Sequence, residues 1–128
     1  MEAETPEDSC HVMDAESLFA SGATILALYE DNALLGMGAV KQLDDVHGEL
    51  KSMHTKPEAR GRGIGDTIVR HLLDAARDLG LQDLSLETGS EPPFAAARRL
   101  YERHGFSYCP PFADYKEDPY SVFMTRKI

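Results

Sequence analysis

The chain has 128 residues, 42% of them hydrophobic and 27% charged, with a net charge of −9 at pH 7. That length suits a single domain, residues 1–128, burying roughly two thirds of its unfolded surface, and no apolar run approaches the roughly 20 residues a membrane-spanning helix needs. The acidic balance argues against nucleic acid, and the polar, acidic start MEAETPEDSC lacks the basic head and apolar centre of a secretory signal, so a cytoplasmic protein is expected.

The charge is uneven. Residues 1–50 hold eleven carboxylates against one basic side chain, Lys41, whereas Lys51, Lys56, Arg60, Arg62, Arg70 and Arg77 crowd the middle. Cys10 and Cys109 have no paired spacing, and His11, His47, His54, His71 and His104 have no ligand spacing, so neither a disulfide framework nor a metal is expected.

Residues 1–6 read as disordered, and PEDSCHVMDAESLF supplies at most one short helix. ASGATILALYED then reads as a strand, Asp31-Asn32 as a turn, and NALLGMGAVKQL as the antiparallel partner, with Gly36 and Gly38 marking a bulge or a close backbone approach. After the turn signal Asp44-Asp45, HGELKSMHTK gives a third strand that ends at Pro57. Apolar residues at 64, 68, 72, 75, 76 and 79 predict a helix from Ile64 to Leu79, closed by Gly80. LQDLSLET reads as a strand, PPFAAARRLYERHG as a second helix opened by proline and ended by Gly105, and FSYC and YSVFMTRK as two closing strands. The fold class is α/β (α+β): a mixed, mostly antiparallel twisted sheet around a central parallel strand-helix-strand unit.

Between the third strand and the first long helix lies Arg60-Gly61-Arg62-Gly63-Ile64-Gly65. Glycines there let a backbone approach an anion, and a helix N-terminus with flanking cations favours one. No Lys-Ser or Lys-Thr follows, as a P-loop requires, and the third glycine of a dinucleotide fingerprint is replaced by Asp66. The pattern R/Q-x-x-G-x-G/A fits instead.

With that loop following ELKSMHTKPEARGRGIG and with ARRLYERHGF downstream, the chain resembles the GNAT acyl-CoA N-acyltransferases. SLETGS and CPPFADYKEDPYSVFM resemble one subgroup of acetyltransferases in that family. The resemblance implies acetyl-CoA as cosubstrate, its pyrophosphate wrapped by Arg60, Gly61, Arg62, Gly63, Ile64 and Gly65. It implies a bulge over Met53, His54 and Thr55 whose N–H groups face the thioester. Tyr101 matches the tyrosine that gives a proton to the departing sulfur, and a core tyrosine at the same helical spacing is the alternative.

Glu49 lies where some relatives carry a general base, with a solvated strand-edge glutamate as the bland alternative; His54 is a further candidate base. Glu87, at the C-terminal end of a parallel strand, could line the acceptor site, and Asp114 and Tyr115 could close over it or be turn residues. Two departures stand out: Phe94 occupies a position where relatives carry a pantetheine-contacting asparagine, and the chain is short before the hairpin. An exposed sheet edge there makes a homodimer an expectation.

The function expected is transfer of an acetyl group to a primary amine of a small molecule by direct attack in a ternary complex. Peptide or protein acetylation, and a non-catalytic acyl-CoA-binding module, are the alternatives.

Overall fold

The computed structural model describes residues 23–128; the short helix expected before residue 20 and the disorder expected over residues 1–6 lie outside them. Strand β1 (Thr24–Glu30) and β2 (Ala33–Gln42) form an antiparallel hairpin, with Glu30 opposite Ala33. Asp31 turns the corner in the left-handed region, φ 56°, a conformation that its short polar side chain tolerates. Strand β3 (His47–Thr55) returns beside β2, after which a tight turn at Pro57–Ala59 leads into helix α1 (Ile64–Asp78).

α1 follows its apolar period. Ile64, Ile68, Val69, Leu72, Leu73 and Ala76 are buried. At its end Gly80 takes φ 85°, its N–H bonds Arg77 O and the Leu81 N–H bonds Ala76 O, so a Schellman cap satisfies two carbonyls and stops the helix. Gly36 and Gly38 show what their missing side chains permit. A Cβ at 36 would stand 2.8 Å from His54 O and 2.9 Å from Ile68 Cδ1, and one at 38 would stand 2.7 Å from Leu72 Cδ1. α1 therefore rests on bare backbone of β2.

Strand β4 (Asp83–Gly89) pairs parallel with β3, as the strand-helix-strand order predicts. A short turn at Pro92–Phe94 precedes helix α2 (Ala95–Arg103); β5 (Ser107–Cys109) and β6 (Ser121–Lys127) close the chain. The sheet order is β1-β2-β3-β4-β6-β5, so the last strand inserts between β4 and β5, antiparallel to both. No helix among the described residues is long and apolar enough to cross a membrane.

One cluster joins both helices to one face of the sheet: Leu50, Leu84, Leu86 and Met124 pack with Ile68, Leu72 and Tyr101. Because strand side chains alternate, Glu49, Ser85 and Glu87 point to the other face. Two irregularities position the site. Met37 faces His54 while Ala39 faces Lys51, so β3 carries one extra residue opposite Gly38, with Ser52 at φ 58°. The β3–β4 pairing also stops at Leu50 and Leu86, although β3 runs on to Thr55 and β4 to Gly89. The two strands part there and leave a gap in the sheet.

Candidate active site

A cavity of about 490 Å³ opens beside that gap. Met53, His54 and Thr55 line it from β3, just past the bulge. The bulge expected over Met53 to Thr55 thus begins at Ser52, one residue earlier. An interrupted ladder leaves backbone groups of a strand without a partner on the neighbouring strand.

Arg60, Gly61, Gly63, Ile64 and Gly65 form the next stretch of lining. Gly61 and Gly63 sit at φ 80° and 78°, and a Cβ on either would meet nothing within 4 Å. Glycine is required at both by backbone conformation, not by space. Gly63 is the N-cap of α1 and its carbonyl accepts the first helical bond, from Thr67 N–H at 3.1 Å. The N–H groups of Ile64, Gly65 and Asp66 precede that ladder and emerge at the positive end of the helix dipole. Gly65 has a different reason: a Cβ there would lie 3.1 Å from Leu100 Cδ2, at the crossing of α1 and α2.

The opposite wall is apolar and comes from α2 and the turn before it: Pro93, Phe94, Ala97, Leu100 and Tyr101. Phe94 remains 47% exposed, with its ring over Gly89 where a Cβ would overlap it. Tyr101 is 6% exposed and packs edge-on against Phe106, ring centroids 6.0 Å apart. Burial pushes its phenol up to about 12, so it stays protonated through the physiological range. It is both a core residue and a wall of the cavity.

Residues 2–106 match the acetyltransferase (GNAT) family. The chain belongs to that family. It is 45% identical to the uncharacterized N-acetyltransferase YsnE of Bacillus subtilis, over 97% of this chain and 82% of the relative. It is 46% identical to the uncharacterized N-acetyltransferase YedL of Escherichia coli, over 98% and 79%. Its fold superposes with a TM-score of 0.74 on a GNAT family acetyltransferase from Elizabethkingia anophelis with acetyl-CoA bound, 16% identical, covering 91% of this chain and 82% of that one.

Three residues nominated for this GNAT acetyltransferase stand away from the cavity. Arg62 turns to the hairpin, its Nη2 3.1 Å from both carboxylate oxygens of Glu30. Glu49 is 4% exposed on the face opposite the helices, where the Tyr115 hydroxyl donates to it at 2.5 Å and Lys51 Nζ lies 3.7 Å away. It is a buried, bonded carboxylate, so the solvated strand-edge alternative does not describe it. Glu87 is exposed on the same face and accepts from Ser121 Oγ at 2.6 Å.

Tyr115 lies between these carboxylates. Desolvation comes first, then the bond from its hydroxyl to Glu49 and the charges of Glu49 and Glu87, in raising its pKa well above the usual phenol range. Its ring packs against Phe112 and Phe123, and Phe112 reaches His47, which shares a 2.7 Å hydrogen bond with Ser85 Oγ. Of the two loop residues considered, Tyr115 is therefore an anchor, while Asp114 stays exposed.

Sequence reasoning missed Asp66 and Arg103, both on the cavity wall. Arg103 Nη2 stands 3.2 Å from each Asp66 oxygen and His104 Nε2 stands 2.8 Å from Oδ1. Burial alone would raise the Asp66 pKa, but the bonds from His104 and Arg103 and their charges outweigh it and hold the carboxyl below its ordinary range. The partners are 37 and 38 positions apart, so no local pattern could announce them.

Proposed function

We propose that the protein is an acetyl-CoA-dependent N-acetyltransferase that acts on a primary amine of a small molecule by direct attack in a ternary complex. The observation that carries this reading is a two-natured cavity: positive-φ glycines and a helix N-terminus on one wall, an apolar face ending in a protonated tyrosine on the other. Phosphates suit the first wall, and a long neutral arm suits the second. Acetyl-CoA, when bound, supplies an activated thioester.

The residues of this chain divide the work. N–H groups from Gly61 to Asp66 bind the pyrophosphate, with Arg60 adding charge. Backbone past the Ser52 bulge, at Met53 to Thr55, directs N–H groups toward the acyl oxygen, where negative charge develops. The amine nitrogen forms the new C–N bond as the C–S bond breaks, and Tyr101 gives its phenolic proton to the departing sulfur. Burial keeps that phenol neutral, so the proton is present to be given. Glu49 and Glu87 line the face from which the acceptor approaches; Glu49 accepts the amine proton, and their negative charge favours a cationic acceptor.

Calorimetric titration with acetyl-CoA, and with coenzyme A and ATP as comparisons, tests the donor. Binding that depends on the pantetheine arm supports the reading; no binding, or equal binding of ATP, refutes it. Tyr101→Phe then separates catalysis from binding: turnover is expected to fall about 10² to 10⁴-fold while donor affinity holds. Unchanged turnover would remove Tyr101 from the mechanism.

A further inference from the structure

A cleft that binds a ligand with several phosphates needs cations aimed at it, and among the described residues two arginines line this one, Arg60 and Arg103. Arg62, the loop residue that the glycine pattern brings forward, spends its guanidinium on Glu30. Arg103 reaches the loop from the far end of α2, 37 positions away.

What Arg103 meets there is an anion. Asp66 is the third residue of α1, beside N–H groups that precede the helical ladder, and its two oxygens each lie 3.2 Å from Arg103 Nη2. A carboxylate at that end of a helix gains from the dipole, yet it would repel an incoming phosphate unless its charge were matched. Arg103 matches it, and His104 Nε2 adds a hydrogen-bond contact at 2.8 Å. The Arg103 side chain is 56% exposed, so it can be re-aimed without leaving a buried pocket behind. A planar guanidinium accommodates a phosphate with the same forked geometry as a carboxylate.

We infer that Arg103 is a phosphate-binding residue of the donor site, and that Asp66 is the internal anion which holds it in place until a donor phosphate takes over that contact. Asp66 keeps its contact with His104 when the exchange occurs, so it is not left without a partner. The inference rests on the reading of the donor as a coenzyme A thioester, and the phosphate concerned is either the pyrophosphate or the 3′-phosphate.

The two residues then have opposite effects on affinity, which a merely structural bridge would not produce. Titrations with coenzyme A and with 3′-dephospho-coenzyme A should show Arg103→Gln weakening coenzyme A about tenfold, the equivalent of about 1.4 kcal/mol, with a shallower salt dependence. Asp66→Asn should tighten it a few-fold. Arg99→Gln, which removes the same charge from an exposed position of the same helix, controls for net charge. Loss confined to coenzyme A assigns the 3′-phosphate, and equal loss for both ligands assigns the pyrophosphate. If Arg103→Gln does no more than Arg99→Gln, or if Asp66→Asn weakens binding alongside it, the inference is wrong. Wild-type protein that binds neither ligand overturns the donor reading itself.

Discussion

The two faces of the sheet are held by different means. On the helix face, Leu50, Leu84, Leu86 and Met124 meet Ile68, Leu72 and Tyr101 in one apolar cluster, so order comes from many small contacts and no single one decides it. On the other face, Glu49, Ser85 and Thr125 share the surface with the rings of Phe112, Tyr115 and Phe123, and Glu49–Tyr115, His47–Ser85 and Ser85–Thr125 hold the polar groups with individual hydrogen bonds of 2.5, 2.7 and 2.9 Å. The gap where β3 and β4 part connects the two. The difference is between a face whose order no single contact decides and a face whose polar groups each depend on one partner.

The largest effect that would break this contrast lies on the packed face. Leu72 is fully buried and its Cδ1 stands 2.7 Å from where a Cβ on Gly38 would be. The backbone it rests on has no side chain to collapse into the space, so Leu72→Ala should cost about 4 kcal/mol, toward the upper part of the range for such changes. Urea unfolding measures it. A cost under about 2 kcal/mol would mean that α1 settles toward the sheet and that this face is less rigid than its packing indicates.

Second in size is the alkaline behaviour of Tyr101. In the unfolded chain its phenol releases a proton near pH 10, whereas burial holds it to about 12 in the fold. The unfolded state therefore binds fewer protons between those values, and stability falls as pH rises through that window, by about 2 to 3 kcal/mol from this group. Tyr101→Phe should flatten the decline between pH 10 and 12 by that amount. A slope equal to the wild type would show that the phenol is better solvated than its packing against Phe106 implies.

The same contrast explains what the sequence could disclose. The hairpin, both helices, the glycine loop and the parallel pairing rest on spacings within a few residues of each other, and those were legible. Positive φ at Gly61 and Gly63 belongs to this class, because a loop pattern names its own glycines. Three features of the site depend on partners far along the chain: Arg62 with Glu30, Asp66 with Arg103, and Glu49 with Tyr115, separated by 32, 37 and 66 positions. No periodicity encodes these pairs. The sheet order was hidden for a related reason, since only tertiary packing decides that β6 slips between β4 and β5. The local nature of the loop signal also explains why it groups Arg62 with residues that line the cavity, although the Arg62 side chain bonds Glu30 of the hairpin.

The smallest effect sharpens the comparison most, because it asks whether the two faces act separately. Tyr115→Phe keeps the ring that packs on Phe112 and Phe123, whose centroids lie 5.1 and 5.4 Å away, and removes only the hydroxyl that donates to Glu49. A buried carboxylate that loses a donor is left with Lys51 at 3.7 Å, and water can reach the half-buried position of the lost oxygen, so stability should fall by about 1 kcal/mol. If the faces are independent, acetyl-CoA should bind as tightly as before, while turnover with an amine drops because Glu49 is no longer held at the gap. Calorimetry and a thiol-release assay on the same sample read the two quantities. Loss of donor affinity alongside turnover would mean that the Tyr115–Glu49 bond sets how far β3 and β4 part, and the polar face would then shape the donor cleft as well as the acceptor side.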